Sequence, residues 1–376
     1  MKEPQNRRSF IKKTALGLGA LTSGVSLVKG NDLTSVKQLD RKMGVALVGL
    51  GYYASKELGP ALLETKNCYL AGIVTGTKEK EQEWSEKYDI PQKNIYNYDN
   101  FDEIAKNKDI DIVYIVLPNS MHAEFTIRAA KAKKHVICEK PMAISVDECQ
   151  RMIDACSANK VYLSIGYRLH FDPFHQRIME FVKDKKFGQT KFVAGNFGFK
   201  IGDPTQWRLK KALAGGGSLM DVGIYSIQAC RYSVGEEPVS VSAQAFKSDA
   251  VKFKDVDDTV TWQLNFPSGA VASCSSSYSF NVNKLAVSFE EGIVDIPSAY
   301  GYRGIRGTIE TRKEGSMNLR PENPKTNQQA MQIDDFAWGV ANKKQIKITG
   351  EEGLKDLKII EAIYKSIEKG GQTINI

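Results

Sequence analysis

The sequence predicts an α/β chain in two halves: a doubly wound parallel sheet, then an α+β half with a large, mostly antiparallel open sheet. Three observations predict this. Short apolar runs alternate with amphipathic helical segments through residue 165. A glycine pattern, Gly49-x-Gly51-x-x-Ala54, lies between the first run and the first helix. After Gly166, Val260, Trp262, Leu264 and Phe266 alternate with polar residues, as in a sheet buried on one face.

In the first half, Val45 to Val48 reads as a buried parallel strand. The turn that follows (Gly49, Leu50, Gly51, Tyr52, Tyr53) has the residues of a Rossmann dinucleotide site. Its glycines permit a tight turn, and the helix N-terminus favours a pyrophosphate. "YLAGIVTG", "DIVYIVLPN" and "HVICEKP" are further strands, with an amphipathic helix from Met121 to Lys133 between the last two. Ligands bind at the carboxyl ends of such strands. Leu117, Pro118, Asn119, Glu139, Lys140 and Pro141 fall there. The end of the second strand reads Thr75, Gly76, Thr77, Lys78, Glu79, Lys80, with no acid placed for a ribose 2′-hydroxyl. Thr75, Gly76 and Lys80 suit a 2′-phosphate, so NADP is expected over NAD. The alternative makes Lys78 and Lys80 solvated charges on the next helix. This dinucleotide-binding domain is assigned to 43–165.

The second half, 166–350, is assigned to substrate binding and oligomerisation. Pro267-Ser268-Gly269 reads as a hairpin turn. The open face of the sheet is expected to pair with another subunit, giving a homo-oligomer, dimer or tetramer. The last segment, 351–376, carries Leu354, Leu357, Ile360, Ile363 and Ile367 at helical spacing and is expected to pack back on the first domain. Gly215 to Gly217 open an apolar helix that also carries Asp221 and Tyr225. These lie four residues apart and so share one face. A purely structural helix has no need of that pair. The glycines are expected to let the helix start approach a ligand closely.

The net charge of +8 is concentrated near the N-terminus, at Lys2, Arg7, Arg8, Lys12, Lys13, Lys29, Lys37, Arg41 and Lys42. No basic stripe with interleaved aromatics exists, which argues against nucleic acid binding. Residues 1–30 join Arg7-Arg8 to a mildly apolar run that is too short for a membrane span. They resemble a twin-arginine export signal, implying a periplasmic protein. The six cysteines and four histidines have no metal-ligand spacing, so no metal is expected.

With the glycine turn before it and "GGGSLMDVGIY" after it, Glu139-Lys140-Pro141 completes a pattern that resembles the glucose–fructose oxidoreductase / inositol dehydrogenase family (Gfo/Idh/MocA). "VYIVLPNSMHAEF", "CEKPMA", "IGYR", "QWRL", "LAGGGSLMD", "SSYS" and "GEEGLKD" are similar to its glucose–fructose oxidoreductase branch. The resemblance runs from Met43 to the C-terminus. It implies that Lys140, Asp221 and Tyr225 are catalytic. It also implies that Leu117, Asn119, His122 and Glu139 line the cofactor cleft, and that Arg168, Trp207 and Arg208 close over it. It further implies that residues 31–42 form an N-terminal arm, short here, along the adenine side or a neighbouring subunit.

Oxidation of a sugar hydroxyl sends a hydride to the nicotinamide and a proton to a base. A phenol serves as that base where a neighbouring cation favours its phenolate. Tyr225 with Lys140 meets this requirement, and Asp221 orients Lys140 or binds a hydroxyl. The expectation is an NADP-dependent sugar oxidoreductase acting on an aldose or related polyol with a tightly bound cofactor. Two alternatives stand beside it: an exported glycosidase working through transient C3 oxidation, and a non-catalytic sugar or nucleotide sensor.

Overall fold

The structure, a computed structural model, describes residues 38–376. The expected export signal, 1–30, and arm residues 31–37 lie outside the described residues.

Six strands form the first sheet: β1 (Met43–Val48), β2 (Cys68–Val74), β3 (Ile95–Tyr96), β4 (Ile112–Ile115), β5 (His135–Cys138) and β6 (Leu163–Ile165). All pairs are parallel and the order is β3-β2-β1-β4-β5-β6. The strand order reverses between β1 and β4, the crevice where doubly wound sheets bind dinucleotides. Helices α1 (Gly59–Glu64), α2 (Lys78–Tyr88), α3 (His122–Lys131) and α4 (Val146–Asn159) accompany it. A π-helical turn, Ala54–Leu58, leads into α1. β1, β4 and β6 are wholly buried, which is why they read as unbroken apolar runs.

The described arm residues enter at the opposite edge of this sheet. Leu39 N–H donates to Asn67 Oδ1 at 2.8 Å, and Arg41 forks onto the Asp111 carboxylate at 2.7 and 3.1 Å. Asn67 and Asp111 precede β2 and β4, so residues 38–42 sit at the strands' N-terminal ends.

After α5 (Pro173–Lys183) come β7 (Thr190–Gly198), the short α6 (Lys211–Ala214) and α7 (Ile224–Val234). Then follow β8 (Ser240–Phe246), β9 (Thr259–Asn265), β10 (Val271–Ser277), β11 (Val282–Phe289), β12 (Gly292–Pro297), β13 (Thr308–Thr311) and β14 (Gly315–Asn318). With a final strand β15 (Ile374–Asn375) they make a nine-stranded sheet, β14-β13-β12-β11-β7-β10-β9-β8-β15, whose one parallel pair is β7 with β10. The expected hairpin turn joins β9 to β10: Gly269 has φ +84° and its N–H donates to Phe266 O. Val260, Trp262 and Leu264 are buried while Thr261 and Gln263 are exposed.

The expected division at residue 350 comes too late. Helix α8 (Gln328–Ala341) already lies on the first sheet, where Ile333, Phe336, Ala337 and Val340 pack with Val45, Leu47 and Cys68. Its Asp334 carboxylate accepts the Lys66 and Asn67 N–H groups, both at 2.8 Å. Apolar spacing reveals that a helix has a buried face, but not which sheet receives it. Helix α9 (Gly350–Glu368) touches both α4 and β8, so it joins the halves rather than belonging to one. Buried Asp356 of α9 accepts from Arg231 Nη1 and Gln228 Nε2 of α7, at 2.8 and 2.9 Å.

Among the described residues, no helix is long and apolar enough to cross a membrane, and no cluster of metal-binding side chains occurs. All six cysteines are unbridged and buried.

Candidate active site

The site is built where Lys140, at the end of β5, meets the start of α7. Lys140 Nζ donates to the Asp221 main-chain carbonyl at 2.6 Å and to Asp221 Oδ1 at 3.2 Å. The same ammonium lies 4.7 Å from the centre of the Tyr225 ring. One cation thus joins the carboxylate and the phenol. Asp221 lies in a π-helical turn, Leu219–Gly223, that runs directly into α7. Every residue of α7 except Tyr232 is buried. Asp221 and Tyr225 stand at the start of the helix, and only that end is committed to the site.

The glycines before it act differently from the expectation. Gly215 has φ +76° and closes α6. A β-carbon on Gly216 would overlap the Tyr364 hydroxyl, and one on Gly217 the Asp257 main-chain carbonyl. They admit protein, not ligand. Asp257 caps the helix start: Oδ1 accepts Gly217 N–H at 2.7 Å, and Oδ2 accepts Leu219 N–H at 2.9 Å and Ser218 Oγ–H at 3.2 Å. Tyr364 of α9 donates to Asp257 Oδ1 at 2.7 Å. Asp257 carried no sequence signal.

Asp221 has two further partners. Arg208 Nε and the Tyr278 hydroxyl both donate to Oδ2 at 3.0 Å. Burial would raise the Asp221 carboxyl, but the charges of Arg208 and Lys140, with the Tyr278 hydrogen bond, outweigh it and hold the group at about 2. An unfolded aspartate titrates near ~3.9. Because the folded value is the lower, the stabilisation is complete above that pH and is lost as pH falls through the folded value. The stability difference between wild type and Asp221→Asn is therefore expected to hold steady down to about pH 5 and to shrink towards about pH 3. Urea unfolding across that range measures it; an unchanged gap at the acid end contradicts the assignment.

Arg168 does not close over the cleft. It is 1 % exposed and donates to the Gly301 carbonyl (3.0 Å), the Tyr300 carbonyl (2.7 Å) and Gln328 Oε1 (2.6 Å). Its guanidinium lies 4.9 Å from the Tyr225 ring centre and 4.4 Å from that of Tyr302. It is a cation set behind Tyr225. Arg208 is paired with Asp221 and its guanidinium lies 4.6 Å from the centre of the Trp207 ring.

Two residues expected to line the cofactor cleft also brace it. His122 is buried, and its ring nitrogens lie 2.9 Å from the Leu117 and Pro141 carbonyls. Burial lowers its imidazole below the ordinary value. Asn119 donates to the Ala214 carbonyl at 2.8 Å, tying the end of β4 to α6. Glu139 accepts from the Tyr114 hydroxyl at 2.7 Å, and burial pushes its carboxyl up. Leu117 and Pro118 continue the strand end; Leu117 presses on Gly49, whose φ is +92°.

The glycine turn fits a dinucleotide. A β-carbon on Gly51 meets nothing within 4 Å, so the space over the turn is open. Tyr52 beside it is 75 % exposed, while Tyr53 turns inward against Tyr302. At the end of β2, Thr75 is buried and its Oγ1 accepts the Thr77 N–H at 3.3 Å. Gly76 is exposed and Lys80 half-exposed. Lys78 is ion-paired with Glu81 at 2.8 Å, whereas Lys80 makes no ion pair among the described residues.

Comparison with known proteins places the fold in a family. Residues 43–167 match the oxidoreductase family with an NAD-binding Rossmann fold, and 175–295 match the C-terminal domain of the same family. A solved aldose-aldose oxidoreductase from Caulobacter crescentus is 43 % identical, with a TM-score of 0.87, covering 89 % of this chain and 100 % of that one. The chain belongs to the Gfo/Idh/MocA oxidoreductase family. Another Gfo/Idh/MocA relative, the D-xylose 1-dehydrogenase [NADP(+)] of Haloarcula marismortui, is 28 % identical over 359 residues, which is 94 % of this chain and 98 % of that protein. A levoglucosan dehydrogenase at 22 % identity and TM-score 0.78 shares the fold.

Sequence reading missed Tyr278, Tyr302, Asp257 and Gln328 as site residues. The signals for Tyr278 and Tyr302 were faint. Tyr278 follows the serine-rich β10, and "AYGYRG" (299–304) places two aromatics among glycines in a loop.

Proposed function

We propose that this chain is an NADP-dependent sugar oxidoreductase that moves a hydride between an aldose or related polyol and a tightly held cofactor. The observation that carries the reading is Lys140 bridging Asp221 and Tyr225 at the carboxyl edge of the first sheet. The bound nicotinamide would supply the hydride acceptor and donor. Tyr225 takes the hydroxyl proton. Lys140 and Arg168 set two positive charges 4.7 and 4.9 Å from the centre of its ring. Asp221 fixes Lys140, and Arg208 and Tyr278 fix Asp221. The names of the aldose-aldose oxidoreductase and the xylose dehydrogenase support the substrate class and NADP.

The test is to purify the protein without added cofactor, mix it with single aldoses and follow reduced-nicotinamide absorbance. A rise reversed by a second sugar supports a retained cofactor. A rise only with added NADP makes it an exchanging dehydrogenase. No rise, with aryl glycosides cleaved, transfers the assignment to the glycosidase reading.

NADP preference rests on Lys80. Lys80→Ala should raise KM for NADP roughly tenfold, the worth of one charge-assisted hydrogen bond, and leave KM for NAD near wild type. Equal effects on both remove the argument.

Two further readings belong here. Export by the twin-arginine route rests on Arg7-Arg8 and the run after them; cell fractionation reads it. Assembly through the open face of the nine-stranded sheet is supported by exposed Phe192 and Ile293 among small residues such as Ala194, Ser273 and Ala286; sedimentation reads it.

A further inference from the structure

The loop between β12 and β13 crosses from the second domain to the dinucleotide turn. Its rear is fixed. Arg168 holds the Tyr300 and Gly301 carbonyls, and Tyr300 N–H donates to Asn283 Oδ1 at 2.9 Å. Its front reaches the first domain at two points. The Tyr302 ring lies 5.8 Å from Tyr53 of the glycine turn. Arg303 Nη2 donates to Glu57 Oε2 at 3.1 Å, one helical turn beyond Tyr53. The pair is asymmetric: the Arg303 side chain is 71 % exposed and that of Glu57 8 %. A nearly buried carboxylate beside the dinucleotide turn thus takes its cation from the opposite domain. Tyr302 also covers the Arg168 guanidinium, whose other ring contact is Tyr225.

We propose that Tyr302 and Arg303 form a clasp that closes the second domain over the dinucleotide turn and slows cofactor release. The proposal rests on the reading that a nicotinamide dinucleotide binds at Gly49 to Tyr53. It adds which residues decide whether the cofactor stays through two half-reactions. A dinucleotide leaving the crevice must part Tyr53 from Tyr302 and Glu57 from Arg303. Contacts broken on the way out act on the dissociation rate. Because Arg303 reaches through solvent, salt screens the latch.

The experiment loads the full protein with NADPH, chases with excess NADP and follows reduced-nicotinamide fluorescence by stopped flow. Arg303→Ala and Glu57→Gln should each release NADPH about fivefold faster, the effect of one partly exposed ion pair, and the double variant no faster than either. Release from wild type should quicken more steeply with added potassium chloride than release from Arg303→Ala, in which only the contacts to the cofactor itself are screened. Glu57→Gln leaves no buried charge, so it tests the latch even where Arg303→Ala folds poorly. Variants that release at the wild-type rate, or a salt response equal in wild type and variant, overturn the clasp. A wild-type protein that neither carries a nicotinamide dinucleotide through purification nor takes up NADPH or NADH overturns the dinucleotide reading itself, and the clasp with it.

Discussion

Tyr225→Phe is expected to lower kcat for sugar oxidation about a thousandfold while leaving cofactor binding near wild type. Removing the hydroxyl takes away the proton acceptor but keeps the ring. That ring fills a packed position: it is 7 % exposed, with Phe197 at 5.5 Å, Tyr300 at 6.1 Å and two cations beside it. General acid–base groups contribute roughly 10²–10⁴ in rate, so the loss should appear in kcat rather than KM. A companion variant, Lys140→Met, removes one of the two cations and should also lose kcat, with Arg168 left in place. Turnover of Tyr225→Phe within a few fold of wild type would place the base elsewhere in the site.

The second large effect is on stability. Gly217→Ala puts a β-carbon onto the Asp257 main-chain carbonyl, and main chain cannot move aside as a flexible side chain does. Overpacking of this kind costs about 3 kcal/mol. It also displaces the cap that Asp257 places on Gly217, Ser218 and Leu219, so Asp221, two residues further on, should shift with it. Activity and urea midpoint should fall together. Gly202→Ala is the control: its β-carbon meets nothing within 4 Å, and the change should stay within about 0.5 kcal/mol. A Gly217→Ala protein as stable as Gly202→Ala would show that the helix start is not held as described.

The two effects differ in how far the sequence announced them. Tyr225 and Asp221 were legible because four residues is one helical turn, a local spacing. Lys140 was legible because strand ends in a doubly wound sheet collect at one edge. The meaning of Gly215 to Gly217 was not legible. Three glycines signal close approach, but the approaching groups are Tyr364, in the last helix, and Asp257, before β9. Nothing local to the glycines names them.

The sequence by itself determined the parallel sheet, the one-sided antiparallel sheet, the dinucleotide turn and the residue types of the site. Each follows from a period or a turn within a few consecutive residues. Only the tertiary structure decided that Arg168 lies behind Tyr225, that His122 and Asn119 brace the strand ends, and that α8 returns to the first sheet. It also decided that Arg208 and Tyr278 share Asp221, and that Tyr302 and Arg303 span the domains. Those arrangements depend on where distant segments cross. A buried charge or phenol takes whichever partner the packing brings within reach, and that partner leaves no periodic trace in the chain.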